Sequence, residues 1–351
     1  MNREIYLILK SHLDNLKSVG RSKETIKLLE KRICTIFDLS DIRSIKNIKN
    51  LKYSDALAIR DKLYQLPKNA SKIKEFDGLS KGEIIELNNR KIVDKYQTIA
   101  IDTVDGYLSA ISDFFDWCLN NGLIDKNYFK NIKKKRKPLV RPNKKGREFD
   151  CVELNQISKH LHSKYKPEDG YKYYIVPLLR YTGARLNELI QMSYDDIRIV
   201  DGVYCMDIYP DQYKTKNSGR TIPIHPKLIE IGFLDYIKSK NGDLFPETHK
   251  FKKCRTDGVS KWSKRWRDKM NLKEGKNLRS FRHNFIDELK KMDVDLEVRA
   301  QLAGHSINVT ADVYSKDYSM KEMYKYICLI GKEKWYISLY NRLFSKVVYT
   351  L

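Results

Sequence analysis

Between Asn277 and Tyr318 the chain carries an Arg282-His283 pair, a Gly304-His305 turn and Tyr314 at short spacings. A guanidinium donates in a fork that fits the oxygens of a phosphate or carboxylate, an imidazole donates or accepts, and a phenol is a nucleophile once its proton can leave. Phe281, Phe285, Ile286 and Leu289 recur at helical spacing, which puts Arg282 and His283 in the first turn of a helix whose apolar side is core. A second run, Val294, Leu296, Val298 and Leu302, stops at Gly304; glycine after the last apolar position is a helix stop and holds His305 at a sharp turn. Asn308 is placed to cap a further helical piece that returns Tyr314 toward the same cleft.

Two kinds of element upstream must hold these residues. Apolar periodicity predicts helices over 5–19, 23–37, 54–66 and 103–121, the second capped by Ser22 and the last stopped by Gly122. The stretch 68–95 mixes polar residues with Gly78 and Gly82 and reads as an insertion or a loop. The first lobe is therefore all helical. From Asn131 to Arg147 prolines and a glycine interrupt a dense basic run, NIKKKRKPLVRPNKKGR, which is either a solvated charge run or a segment that tracks a phosphate backbone. Helical patterns resume over 153–162 and 173–181, Thr182-Gly183 breaks the second, and 184–192 reads as a helix with Arg185 and Glu188 on one face. Two β-rich runs, 203–209 and 220–224, flank the polar DQYKTKNSG and predict a hairpin with Lys214 and Lys216 near its tip. From Trp262 onward the pattern is mostly helical, and beyond Tyr318 a tail carries Trp335, Tyr336, Leu339, Tyr340, Leu343 and Phe344 as an amphipathic stripe.

With 351 residues the chain fits two domains. Its net charge of +23, from 68 Lys and Arg against 45 Asp and Glu, points to a polyanionic partner. A basic ribosomal or membrane-surface protein shares that charge, but 23 tyrosines argue for folded domains over a charged tail. The six cysteines form no CxxC or Cys/His cluster, so neither a zinc site nor a disulfide framework is expected. The first ten residues lack a signal-peptide core and no apolar run reaches membrane-span length. The expectation is a soluble, cytoplasmic, nucleoid-associated protein without membrane contact.

Four boxes stand in an order that resembles the tyrosine recombinase or phage integrase family. TGARLNEL (Thr182 to Leu189) is similar to its first arginine box, YKTKNSGRTIPI (Tyr213 to Ile224) to its hairpin lysine motif, SFRHNF (Ser280 to Phe285) to its second arginine box, and LAGHSINVTADVY (Leu302 to Tyr314) to its histidine turn and nucleophile. Each box alone is weak evidence; all four in order are specific. The first lobe also resembles the helical core-binding domain of phage and genomic-island integrases.

The resemblance implies a mainly α fold with a small β-sheet and a two-lobed DNA clamp: a helical core-binding domain over 1–138, a basic linker over 139–147, and a mixed α+β catalytic domain with a C-terminal tail helix over 148–351. It implies a site-specific DNA recombinase, an integrase of a mobile element, working through a 3′-phosphotyrosyl intermediate with no metal and no cofactor. Tyr314 is then the nucleophile, with Tyr318 its nearest rival. Arg185, Arg282 and His305 hold the phosphate, and Lys214 is the candidate acid with Lys216 able to exchange roles. Glu188 orients Arg185, and His283 is structural. DNA contacts fall to Lys133, Lys134, Lys135, Arg136, Lys137, Arg141, Lys144, Lys145 and Lys216. Implied partners are double-stranded recombination sites, three further copies of the chain in a homotetramer, and accessory DNA-bending or directionality proteins; the tail packs either in its own domain or on a neighbouring copy. The sequence departs from the family at Arg279, three residues before Arg282, where histidine or lysine is usual; arginine stays protonated and cannot take the tyrosine proton, so Arg279 either joins the catalytic set by adding a fork of donors at the phosphate, the reading its spacing from Arg282 favours, or points outward as one more backbone contact. A Xer-like dimer resolvase, a type IB topoisomerase or a catalytically silent regulator of the same fold are the alternatives.

Overall fold

Helical periodicity governs the first part of the chain. The computed structural model describes residues 3–40, 42, 44–133, 147–209, 219–251, 254–272, 275–304 and 318–332, and the chain divides into two compact units, Met1–Arg141 and Pro142–Leu351. In the first unit α1 (Arg3–Ser18), α2 (Lys23–Leu39), α3 (Ile45–Lys49), α4 (Tyr53–Gln65), α5 (Lys81–Arg90) and α6 (Ile101–Asn120) surround one core. Ser22 caps α2 by accepting from the Thr25 amide at 3.2 Å, and α6 buries Val104, Leu108, Ile111, Phe114, Phe115 and Cys118 along one stripe.

The stretch after α4, which sequence left as an insertion or a loop, is folded. Ile99 donates to the Leu66 carbonyl at 2.9 Å and Lys68 to that of Gln97 at 2.7 Å, so the excursion closes on its own stem. Inside it, Ser80 and Glu83 cap α5 reciprocally and Ala70, Phe76 and Ile84 form a separate small core. Tyr96 lies edge-on to Phe76 at 5.2 Å, and the Asn88 amide satisfies both Tyr96 backbone groups.

The second unit places α7 (Cys151–Lys164), α8 (Tyr171–Thr182), α9 (Leu186–Ile190), α10 (Pro226–Glu230), α11 (Phe233–Lys238), α12 (Arg255–Lys269), α13 (Arg279–Lys291), α14 (Leu296–Ala303) and α15 (Met320–Ile327) around a second core. Its sheet is antiparallel in the order β1 (Ile197–Val200), β2 (Val203–Ile208), β3 (Arg220–Pro223), with Met206 opposite both Ile197 and Ile222. The hairpin strands match the sequence expectation, whereas β1 was unforeseen. Arg198 on β1 pairs with Asp207 at 2.5 Å, and Asp207 accepts from Thr221 at 2.6 Å, so an acidic residue within β2 is held by both neighbours.

One local expectation is corrected. Arg185 is not inside a helix with Glu188 but is the N-cap of the short α9, with extended backbone at φ −79° and ψ 147°. The cause is Gly183, which ends α8 in the left-handed region at φ 62° and redirects the chain before the next helix starts. Among the described residues no helix is long and apolar enough to cross a membrane.

Candidate active site

Four charged residues from three elements meet in the second unit. Glu188 on α9 is 8% exposed and sits at the centre. One of its oxygens accepts from the Arg185 amide at 2.7 Å, satisfying a donor at the start of α9, and the other from the Arg185 guanidinium at 2.6 Å. Arg220, the first residue of β3, donates from Nη2 to Glu188 at 3.0 Å. Burial alone raises a carboxyl, but Arg220 and the Arg185 amide outweigh it and hold Glu188 below the usual carboxylate range. Glu188 is therefore the anion that allows two guanidinium groups to lie side by side.

Arg282 approaches from α13. It lies one turn into that helix, with its apolar neighbours Phe281, Phe285 and Leu289 in the core as the periodicity requires. Its Nη1 donates to the Gly183 carbonyl at 2.6 Å and its Nη2 to the Ala303 carbonyl. These carbonyls end α8 and α14, where helix dipoles present partial negative charge, so the cation is set against two helix C-termini. Burial, then the nearby Arg185 and Arg220, push Arg282 down to about 9, which still leaves it charged at neutral pH. Close packing fixes the first of those carbonyls: a Cβ on Gly183 would lie 2.3 Å from the Phe285 ring.

The helix stop before the histidine is present. Gly304 caps α14 in the left-handed region at φ 63°. Arg220 covers this turn too, donating from Nε to the Leu302 carbonyl at 3.0 Å. Arg185 differs from its neighbours in access, its side chain being 42% exposed against 3% for Arg220.

The structure thus brings together Arg185, Glu188 and Arg282, and adds Arg220, which residue-by-residue reading missed. Its signal was a charged residue opening an otherwise apolar strand directly after the lysine hairpin. Arg279 is exposed at the first position of α13 and close enough to Arg282 to contribute to its depression. His283 is half-buried, and burial, then Arg279, lower it, which favours the neutral ring. Lys133 is exposed, with its carbonyl accepting from Arg60 at 2.7 Å in the first unit. Lys214, Lys216, His305, Tyr314, Lys134, Lys135, Arg136, Lys137, Arg141, Lys144 and Lys145, the Asn308 cap and the tail stripe lie outside the described residues. β2 ends at Ile208 and β3 begins at Arg220, so both lysines lie in the sequence between these paired strands.

Residues 147–320 match the model of the phage integrase family. The second unit carries a phage integrase family domain, the domain of tyrosine recombinases, enzymes of site-specific DNA recombination. It is 24% identical over 267 residues to the tyrosine recombinase XerD of Staphylococcus haemolyticus, covering 72% of this chain and 84% of that one. Its fold is similar to that of the Tn1549 transposon integrase in complex with circular intermediate DNA, with a TM-score of 0.53 at 18% identity over 89% of this chain and 96% of that one. It is also similar to a lambda integrase tetramer bound to a Holliday junction, with a TM-score of 0.57 at 16% identity over 90% and 80% of the two chains. The integrase family domain spans the whole arginine cluster, from Arg185 to Arg282.

Proposed function

We propose that this recombinase is the integrase of a mobile element and that the Arg185, Glu188, Arg282 cluster is its strand-cleaving site. The observation that carries the reading is that Arg185, held by Glu188, and Arg282, held by the Gly183 and Ala303 carbonyls, are brought from separate boxes close enough for one to depress the other, beside the turn that leads to His305. In the proposed reaction the Tyr314 hydroxyl attacks a backbone phosphorus in line with the 5′ oxygen. The Tyr314 O–P bond forms, the P–O5′ bond breaks, and the strand is left with a 3′-phosphotyrosyl link and a 5′ hydroxyl. Arg185, Arg282 and His305 stabilise the charge on the non-bridging oxygens. Lys214 protonates the departing 5′ oxygen, with Lys216 as its substitute. Arg279 adds donors at the phosphate, so the Tyr314 proton leaves through water, His305 or a phosphate oxygen. Attack by a 5′ hydroxyl from a second duplex reverses the step, reseals the strand and frees Tyr314, so the bond energy is conserved without a cofactor.

Tyr318 makes a poorer nucleophile. Burial, and behind it Asp295 and Glu297, raise its phenol, and its ring packs on the core of the second unit. Both units and the basic segment from Lys133 to Lys145 bind DNA in this reading, as the charge of +23 favours. Four copies work on two sites in this reading, which the similarity to a lambda integrase tetramer bound to a Holliday junction supports. Similarity to XerD favours a second reading, a Xer-like resolvase of replicon dimers.

A pool of duplexes randomised in sequence and nicked at one fixed position tests the proposal. Cleavage a few bases from the nick releases a short strand and traps the protein covalently. Sequencing the trapped DNA yields the site, and the host locus that matches it separates the two readings: the ends of a mobile element, or a single replicon site. A protein that relaxes supercoils without joining two sites would be a topoisomerase, and one that binds without trapping would be a silent regulator.

A further inference from the structure

Arg220 is a buried arginine for which the proposed reaction has so far needed no role. Three elements remote in sequence meet on its guanidinium. Nη2 bonds Glu188 on α9 at 3.0 Å, Nε bonds the Leu302 carbonyl in the last turn of α14 at 3.0 Å, and the aliphatic stem belongs to β3. The group also lies directly over Gly304, where a Cβ would come within 2.7 Å of Nη1. Burying a guanidinium is costly unless its donors are matched. Here a planar fork reaches a carboxylate and a carbonyl at once, which the point charge of a lysine does not reproduce. Protein acceptors enclose it and its side chain is only 3% exposed, so it acts on the protein and not on a phosphate.

We propose that Arg220 is a positioning residue for strand cleavage: it ties the carboxylate that orients Arg185 to the glycine turn that precedes His305, so that the first arginine box and the histidine turn keep one fixed spacing. This rests on the strand-cleaving reading of the site. Arg282 makes a parallel link from α13 to the Gly183 and Ala303 carbonyls, and the two arginines together brace consecutive carbonyls, Leu302 and Ala303, of the same turn.

The test uses the full chain, the nicked random-sequence pool, the initial rate of covalent adduct formation, and affinity for the same pool without a nick. Arg220→Ala should slow adduct formation roughly 10- to 100-fold, the scale found for groups that orient a catalytic ligand, with affinity changed by less than about threefold. Arg220→Lys should recover part of the rate. Glu188→Gln should cost more than Arg220→Ala because it also loosens Arg185, and adding Arg220→Ala to Glu188→Gln should cost little further because their shared link is already weakened. A second readout separates positioning from packing. Glu188 faces Arg185 at its own helix start, Arg220 from β3 and Arg282 from α13. Without Arg220, burial weighs more heavily on the carboxyl and raises it. Arg220→Ala should therefore lose additional rate as pH falls below neutral, and Arg220→Ala with Glu188→Gln should not. Loss of packing alone lowers the melting temperature and creates no such acid limb.

Wild-type rate and pH profile in Arg220→Ala would overturn the proposal while leaving the cleavage reading intact. If that variant does not fold, Arg220→Lys decides, because it keeps the buried charge: slower trapping at unchanged affinity supports the role, and wild-type trapping overturns it. No adduct from the wild-type chain would overturn the cleavage reading and the proposal with it.

Discussion

Arg282 and Arg185 share a charge and differ in what they do with it. Arg282 is buried against two helix ends, and Arg185 leans on Glu188 with much of its side chain in solvent. Arg282→Lys keeps a cation but loses the fork that joins the Gly183 and Ala303 carbonyls. Cleavage should fall about 100-fold or more, close to the loss of a preorganised donor, while DNA affinity measured by gel shift stays near wild type. These two arginines and Glu188 were legible because box spacing is local. Arg220 was not, because its partners lie 32 and 82 positions away and only folding brings them together. A charged residue at a strand start carries no mark of what it will touch.

At the scale of elements, the turns were read more accurately than the short segments between them. Gly183 and Gly304 stop helices where expected, and both are locked there by a neighbour as well as by backbone angle. Gly183→Ala combines a left-handed φ of 62° with a clash on Phe285. It should destabilise the second unit by about 2–4 kcal/mol, measured by denaturant unfolding. β1 and α9 escaped or were misjudged because each spans four or five residues, too few for periodicity to declare itself. The insertion before α6 escaped because its order comes from closing its own stem and from a three-residue core, not from an apolar stripe. His225 supplies a pH test at this scale. Its Nδ1 caps α10 by accepting from the Lys227 amide at 2.9 Å, so the ring proton sits on Nε2 and donates to the Ile330 carbonyl at 3.2 Å. Burial, with Arg180, Lys332 and Lys227 nearby, pushes the ring down to about 4 from 6.5. Between those values the unfolded chain binds a proton that the folded chain refuses, so stability falls as pH drops through that window, by up to ~3 kcal/mol. Thermal melts should show this loss, and His225→Asn, which keeps a cap acceptor without a titrating ring, should flatten it.

For the whole molecule, charge and division into two units were visible at once in length and composition. The basic run that joins the units tests how far that charge is used. Replacing Lys134, Lys135, Arg136 and Lys137 together by glutamine should reduce the slope of log affinity against log salt by about 3–4 if all four sit on phosphates. An unchanged slope would mark the run as merely solvated. The central claim, that this fold cuts DNA with one tyrosine, is tested most directly by isolating the adduct trapped on the nicked pool, digesting it and locating the nucleotide-bearing residue by mass. A 3′-phosphate joined to Tyr314 is expected, with no adduct from Tyr314→Phe, which still binds the pool. A nucleotide on Tyr318, or an adduct that persists in Tyr314→Phe, would contradict it.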